Sequence, residues 1–347
     1  MKTGWKIPGW WWLLPVFLVL SVLVQAAGLF LSNAGRDAAS GLEFTDSPYK
    51  ADQWPRVFPG AFQAFVTTKE GQGYQIQYND RTPQVEPVSS LFTELGPLAA
   101  VTEATALTQA GTAWAGMFGL YSSDESPMEI PVPNVVQVND DYSRLVLTAD
   151  GTVYDGAGNR VNVPEKIVDL RSGAMVTESG NMYRLAEYES LDTVKVPGVT
   201  DARLGCQLAG EDFIVVSKDG EVYRWRNYGV QGDLHREDLP TTAPIVQLSC
   251  LQYDDGAVFY SAVDAKGSGY HGWTRSDAIA GTSPDQGGYD PQKTEWIKFE
   301  GVTGATSSAT TLDTVVFVTG EDVVLCPRTD LSGQPKSECD PERITLQ

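Results

Sequence analysis

The feature that most constrains this chain is a recurrence. Ser or Thr, two residues, Gly, two residues, then Tyr or Trp runs from Thr108 to Trp114, Thr148 to Tyr154, Thr177 to Tyr183 and Ser217 to Tyr223, with a further copy from Thr68 to Tyr74. A degenerate copy, DAKGSGY, ends at Tyr270, and FVTGEDVVL around Gly320 repeats the turn without its aromatic. The glycines Gly71, Gly111, Gly151, Gly180, Gly220, Gly267 and Gly320 follow one another at 40, 40, 29, 40, 47 and 53 residues. Such a period, holding one short supersecondary unit per step, is that of a β-propeller blade.

Each copy reads as strand, turn, strand. An apolar run such as RLVLT or FIVVS stops at a polar pair, and Asp-Gly supplies the positive φ that a two-residue primed turn needs. The returning strand then buries its aromatic. A second element precedes the hairpin: VVQV from Val135, IVDL from Ile167, ARLG from Ala202 and IVQL from Ile245 each read as the strand that opens a blade. Ring closure is expected to pair a strand near Arg56 to Val66 with the final ERITLQ, which removes exposed edges.

VYRWRNYGVQGDL from Val222 resembles the V-Y-x-W-G-x-N-x-x-G-Q-L-G core of RCC1 repeats, and VYDGAGN from Val153 is a shorter echo. The resemblance covers about Val57 to Gln347 and implies an all-β, seven-bladed RCC1-like propeller, a family that also includes a secreted bacterial β-lactamase inhibitor protein. Arg226 stands where the family has glycine, and most other blades lack the W-G-x-N segment. The nuclear exchange activity of the family does not suit an acidic chain. What the resemblance implies is a rigid disc whose loops bind another protein.

The N-terminus carries a different signal. From Gly9 to Leu31 there is no charged residue, and at about 1.5 Å rise per residue a helix there crosses roughly 30 Å of hydrocarbon. Trp10, Trp11 and Trp12, followed by Leu13, sit beside Lys2 and Lys6 as an interfacial aromatic belt does. The expected organisation is a cytoplasmic tail at 1–8, a single transmembrane helix at 9–31, a polar linker at 32–55 and the propeller at 56–347. The alternative is a cleaved signal peptide, with Val24 and Ala26 as an A-x-A-like site. The flanking charges favour a cytoplasmic N-terminus, hence a single-pass plasma-membrane protein with an extracytoplasmic propeller; the alternative implies secretion.

Composition agrees with an outer location. Setting aside Lys2 and Lys6 leaves 23 basic against 45 acidic residues, a net of −22, which repels phosphate backbones and argues against nucleic acid as partner. The cysteines Cys206, Cys250, Cys326 and Cys339 are even in number. Cys206 and Cys250 hold matching places in LGC and LSC, and Cys326 and Cys339 are close enough to clip one hairpin and its loop. Four cysteines permit three connectivities, and 206 with 250 and 326 with 339 is preferred over four buried thiols.

Catalytic signals are missing from the sequence. The histidines His235 and His271 do not adjoin a G-x-S-x-G turn, and neither a P-loop nor an H-E-x-x-H motif occurs. The expectation is no enzyme, no catalytic residue, no cofactor and no metal. NDDYS from Asn139 and YDDG from Tyr253 lack EF-hand spacing and read as solvated turn carboxylates. Contact residues are expected on long loops: Tyr289 in the Gly- and Pro-rich insertion from Thr274 to Lys293, Trp273 and Trp296 nearby, and Tyr228 and His235 after Trp225. The expected function is a membrane-tethered, extracytoplasmic protein-binding propeller, either a recognition module or an accessory subunit of a membrane or envelope complex. A secreted inhibitor of an extracytoplasmic enzyme and an enzyme with an unrecognised site are the alternatives.

Overall fold

A computed structural model describes residues 54–346 apart from 80–81, 89–94, 117–125, 188–189, 209–211, 227–232, 253–256, 276–294, 329–335, 340–341 and 345. The expected span 9–31 with its anchor residues Trp10, Trp11, Trp12, Leu13 and Leu31 lies outside the described residues.

Every regular element among the described residues is a strand, and the strands form seven separate antiparallel sheets. Blade 1 holds β1 (Arg56–Phe58), β2 (Gln63–Thr67), β3 (Gly73–Asn79) and β4 (Thr82–Pro87). Blade 2 holds β5 (Leu98–Val101), β6 (Thr105–Thr108), β7 (Ala113–Ala115) and β8 (Met128–Glu129). Blade 3 has three strands, β9 (Val135–Val138), β10 (Val146–Thr148) and β11 (Val153–Tyr154). Blade 4 holds β12 (Ile167–Arg171), β13 (Ala174–Thr177), β14 (Met182–Leu185) and β15 (Thr193–Lys195). Blade 5 holds β16 (Ala202–Gln207), β17 (Phe213–Ser217), β18 (Val222–Arg226) and β19 (Asp233–Arg236). Blade 6 holds β20 (Ile245–Gln252), β21 (Ala257–Asp264), β22 (Gly269–Arg275) and β23 (Glu295–Lys298). Blade 7 holds β24 (Ala305–Thr310), β25 (Thr314–Thr319), β26 (Asp322–Pro327) and β27 (Glu342–Ile344).

The first strand of each blade is innermost. β9 touches β12, then β16, β20, β24 and β1 follow in turn, β1 touches β5, and β6 touches β9, so the seven blades close a ring. The motif aromatics divide evenly: Tyr74, Tyr183 and Tyr270 are buried, with hydroxyls donating to Gln72, Glu165 and Asp264, whereas Trp114, Tyr154 and Tyr223 are half-buried, short of the expected burial.

Two expectations need correction. The hairpin turn in blades 1 to 6 is a three-residue loop, not a two-residue primed turn. In blade 2, Gly111 N donates to Thr108 O at 3.0 Å and Thr108 N to Thr112 O at 2.9 Å, with Gly111 at φ 83°. One positive-φ residue at the third loop position fits a type I turn followed by a left-handed glycine. The Asp that precedes the motif glycine keeps negative φ, so Asp-Gly does not supply the pair of positive φ values that a type I′ turn demands. A two-residue loop occurs in blade 7, where Thr319 pairs with Asp322 across Gly320 and Glu321.

The second correction concerns closure. β27 pairs with β26, and β1 pairs with β2, so each blade is made from one continuous stretch of chain and no strand is exchanged. The ring closes instead by apolar packing of Val57, Ala64, Val66 and Ile76 against Val316, Val318, Val323 and Leu325. Each of the buried valine, leucine and isoleucine side chains contributes about 1.5–3 kcal/mol, which removes the need for a shared ladder.

Both expected disulfides are formed. Cys206–Cys250 joins the inner strands of blades 5 and 6, with 6.1 Å between Cα atoms, and Cys326–Cys339 ties the connection between β26 and β27 back to β26.

Candidate functional site

Antiparallel alternation sorts the connections onto two faces. The glycine turns and the links from blade to blade share one face, the turn face. The loops after each first and third strand share the other, the loop face.

The turn face is stitched together by backbone. In blades 1 to 6 the carbonyl of the motif glycine accepts the N–H that opens the next blade: Leu98 to Gly71, Val135 to Gly111, Ile167 to Gly151, Ala202 to Gly180, Ile245 to Gly220 and Ala305 to Gly267, all at 2.8–3.1 Å. Contact is close. A Cβ on Gly220 would lie 2.4 Å from Pro244 Cβ, at φ 78°, a conformation that also favours glycine. Among the described residues none gives its N–H to the Gly320 carbonyl, and a Cβ there would meet nothing within 4 Å.

The axis is filled by polar side chains. Gln137 donates to Leu170 O at 2.8 Å and accepts from Leu170 N at 3.2 Å, tying blade 3 to blade 4. Gln247 treats Ser308 in the same way at 3.0 and 3.1 Å, tying blade 6 to blade 7. Arg171 forms a buried ion pair with Asp169 at 2.9 Å and donates to Leu248 O at 2.9 Å, which links blade 4 to blade 6. Burial pushes the Asp169 carboxyl up to about 6 despite the guanidinium beside it. Between Phe58, Gln137, Arg171 and Gln247 about 20 Å³ is open to the centre of a water, room for one molecule. That hollow holds nothing larger than a water.

A wider hollow of about 510 Å³ lies on the turn face between blades 2 and 3, beside Pro133, Val136 and Tyr154. Its carboxylate is engaged in its own turn: Asp150 accepts from Thr148 Oγ1 at 2.6 Å and Thr152 N at 3.1 Å.

On the loop face the inner loops are joined by carboxylates. Glu103 of blade 2 accepts Ala61 N of blade 1 at 2.7 Å and the Tyr142 hydroxyl of blade 3. Asp140 accepts Ser172 N and Oγ of blade 4, and Asp141 accepts Ser143 N at 2.7 Å within its own loop. Desolvation raises the carboxyls of Glu103 and Asp140 above the usual range and carries Asp141 to about 6. The expectation of solvated turn carboxylates is thus corrected for NDDYS: Asp140 and Asp141 are half-buried and organise the loops. YDDG lies outside the described residues.

The expected contact residues are scattered. Tyr228 and Tyr289 lie outside the described residues. His235 is exposed on β19, opposite Arg224, and Trp273 is half-buried on β22, 6.0 Å from the His271 ring. Trp296 is a core residue rather than part of a surface patch. It is 7% exposed, lies 4.8 Å from the Tyr260 ring, and its Nε1 donates to Glu237 at 3.2 Å. The reason is register: Trp296 pairs with Gly272 inside blade 6, so the sheet and not the insertion fixes its side chain.

A buried imidazole and a buried guanidinium mark the junction of blades 6 and 7. His271 has no exposure, stacks on Phe299 at 4.3 Å, and is lowered to about 4 by burial and by Arg328. Arg328 donates to Gly272 O at 2.7 Å and lies 4.1 Å over the Phe259 ring. Among the described residues, no group of three or more His, Cys, Asp or Glu is placed to hold a metal ion.

Sequence reasoning missed Phe62, Glu103 and Tyr142. Phe62 and Tyr142 are 40% and 49% exposed on the loop face. The available signal was NDDYS itself, whose tyrosine was passed over while its carboxylates were weighed as cation ligands.

No family model matches the chain, and no curated protein does. Among solved structures it is similar to yeast RCC1 (Prp20) in complex with Kap60, at 13% identity over 84% of this chain and 74% of that one, TM-score 0.40. It is also similar to Kluyveromyces lactis Hsv2, at 11% identity over 82% and 97%, TM-score 0.47. PorZ, a surface component of the type-IX secretion system of Porphyromonas gingivalis, is similar at 11% identity over 84% of this chain and 38% of that one, TM-score 0.47. These likenesses are of architecture and say nothing about partners.

Proposed function

We propose that this protein is a membrane-tethered, extracytoplasmic protein-binding propeller, a recognition module or accessory subunit that does no chemistry of its own. The observation that carries the reading is the division of labour between faces. The turn face is stitched from blade to blade by backbone bonds and the described axis is packed with polar side chains, whereas the loop face carries the inner loops and the exposed rings of Phe62 and Tyr142. Two disulfides support an oxidising compartment, and the apolar run 9–31 supports a tether.

The test is mass spectrometry of the native protein extracted from its own membranes in mild detergent without reductant. An intact N-terminus with a stoichiometric protein partner supports the reading. Cleavage near Ala26 with no partner sinks the tether and leaves a secreted binder. Reproducible turnover, lost on altering one residue, would make it an enzyme.

A further inference from the structure

We infer that the loop face over blades 1 to 3 is a docking surface for a lysine- or arginine-bearing segment of a protein, with Phe62 and Tyr142 as aromatic contacts and Glu103, which bridges their loops, as the anion. The inference rests on the protein-binding reading above and adds the chemistry of the partner.

Phe62 and Tyr142 belong to loops of different blades that are both bonded to one carboxylate. Ala61, next to Phe62, gives its N–H to one oxygen of Glu103, and the Tyr142 hydroxyl bonds the other. A carboxylate accepts up to about four hydrogen bonds, so both oxygens retain accepting capacity. An ammonium or guanidinium laid over an exposed ring beside such a group gains cation–π attraction and charge pairing together.

Charge complementarity selects the occupant. The described inner loops 59–62, 102–104, 139–144 and 172–173 carry Glu103, Asp140 and Asp141 against one base, Arg144, whose side chain is half-buried and packs beside Gly156. The whole chain repeats the sign at −20, so acidic segments are repelled and basic ones steered in. A bare metal ion would gain no ligand from either ring.

The surface is also held in place before binding. Leu312 N of blade 7 donates to Ala61 O at 3.0 Å, and Ser172 fastens the Asp140 loop to blade 4. Fixed loops lose little conformational freedom on association.

The experiment uses the full chain in mild detergent and fluorescein-labelled Gly/Ser nonapeptides carrying a central Arg-Arg, Lys-Lys or Glu-Glu pair. The Arg and Lys peptides bind, more weakly as salt rises, and the Glu peptide does not. Phe62→Ala and Tyr142→Ala each weaken binding about three- to tenfold, while Tyr142→Phe, which keeps the ring, weakens it less. Hydrogen exchange slows at 59–62 and 102–104. Equal binding of the Glu peptide, no binding of any peptide, protection elsewhere, or full affinity in both alanine variants with unchanged circular dichroism would each overturn the inference. A native partner that copurifies equally well with the Phe62→Ala/Tyr142→Ala double variant overturns this surface and leaves the broader reading intact.

Discussion

The junction between blades 5 and 6 and the seam between blades 7 and 1 solve one problem differently. At the first, the Gly220 carbonyl accepts Ile245 N, Cys206 is bonded to Cys250, and Leu204, Ile214, Leu248 and Val258 pack between the sheets. At the seam, no described residue gives its N–H to the Gly320 carbonyl, and the apolar cluster of Val57, Ile76, Val318 and Leu325 carries the contact, aided by the bond from Leu312 N to Ala61 O. The turns differ too, by one residue, and Pro55, immediately before β1, has no N–H to donate. A three-residue turn presents its glycine carbonyl to the neighbouring blade, and the two-residue turn at Gly320 does not. Directional bonds therefore fix the order and spacing of blades along the chain, while non-directional burial suffices where the ends meet.

The comparison is broken most forcibly at the disulfide. Replacing Cys206 and Cys250 together by Ala removes a 44-residue closure and costs about 4 kcal/mol, read from urea unfolding under oxidising conditions. An unchanged midpoint would show that the clasp and core hold this junction unaided. Next comes the glycine pair. Gly220→Ala adds a clash to an unfavourable φ and costs about 3 kcal/mol, whereas Gly320→Ala, in open space, costs about 1 kcal/mol. Equal losses would remove the distinction between clasped and unclasped turns.

A smaller effect separates the axis from the junction of blades 6 and 7 by pH. The folded Asp169 carboxyl titrates at about 6, above its unfolded value, so the folded state holds the extra proton and stability falls as pH rises from about 4 to 6, then levels. His271, lowered to about 4, acts in the opposite sense, adding stability as pH rises from 4 to 6.5. In Asp169→Asn the first term is gone, and unfolding free energy climbs across that window by about 2 kcal/mol more than in the parent. A parallel pH profile would contradict the assignment. The smallest effect is local: native-state hydrogen exchange of inner-strand amides is faster at β24 and β1 than at β16 and β20, by a fraction of the global stability.

What the sequence revealed was whatever repeats locally. The motif glycines gave the blade count, VVQV and IVQL marked the inner strands, and LGC with LSC identified a cysteine pair, because each is a property of a few neighbouring residues. The clasps stayed hidden because they depend on where a carbonyl points after a turn, which Asp-Gly alone does not decide. The axial ties had a visible trace, the glutamine shared by VVQV and IVQL, but its partners at Leu170 and Ser308 lie 33 and 61 residues away. The loop-face surface was less legible still. Phe62, Glu103 and Tyr142 are each unremarkable in sequence and share a face only through the ring, while the strand that holds Trp296 at 7% exposure is hard to see beside the neighbouring insertion.

Blades built from unbroken stretches also bear on how the chain is made. A sheet whose strands are consecutive can be completed as soon as its last residue emerges, without waiting for the opposite terminus, and short-range pairing speeds folding. For a chain synthesised from its N-terminus, each of blades 1 to 6, once finished, offers the next its glycine carbonyl as a template. Assembly then proceeds in one direction, and the last event is the collapse of two greasy faces rather than the insertion of a strand.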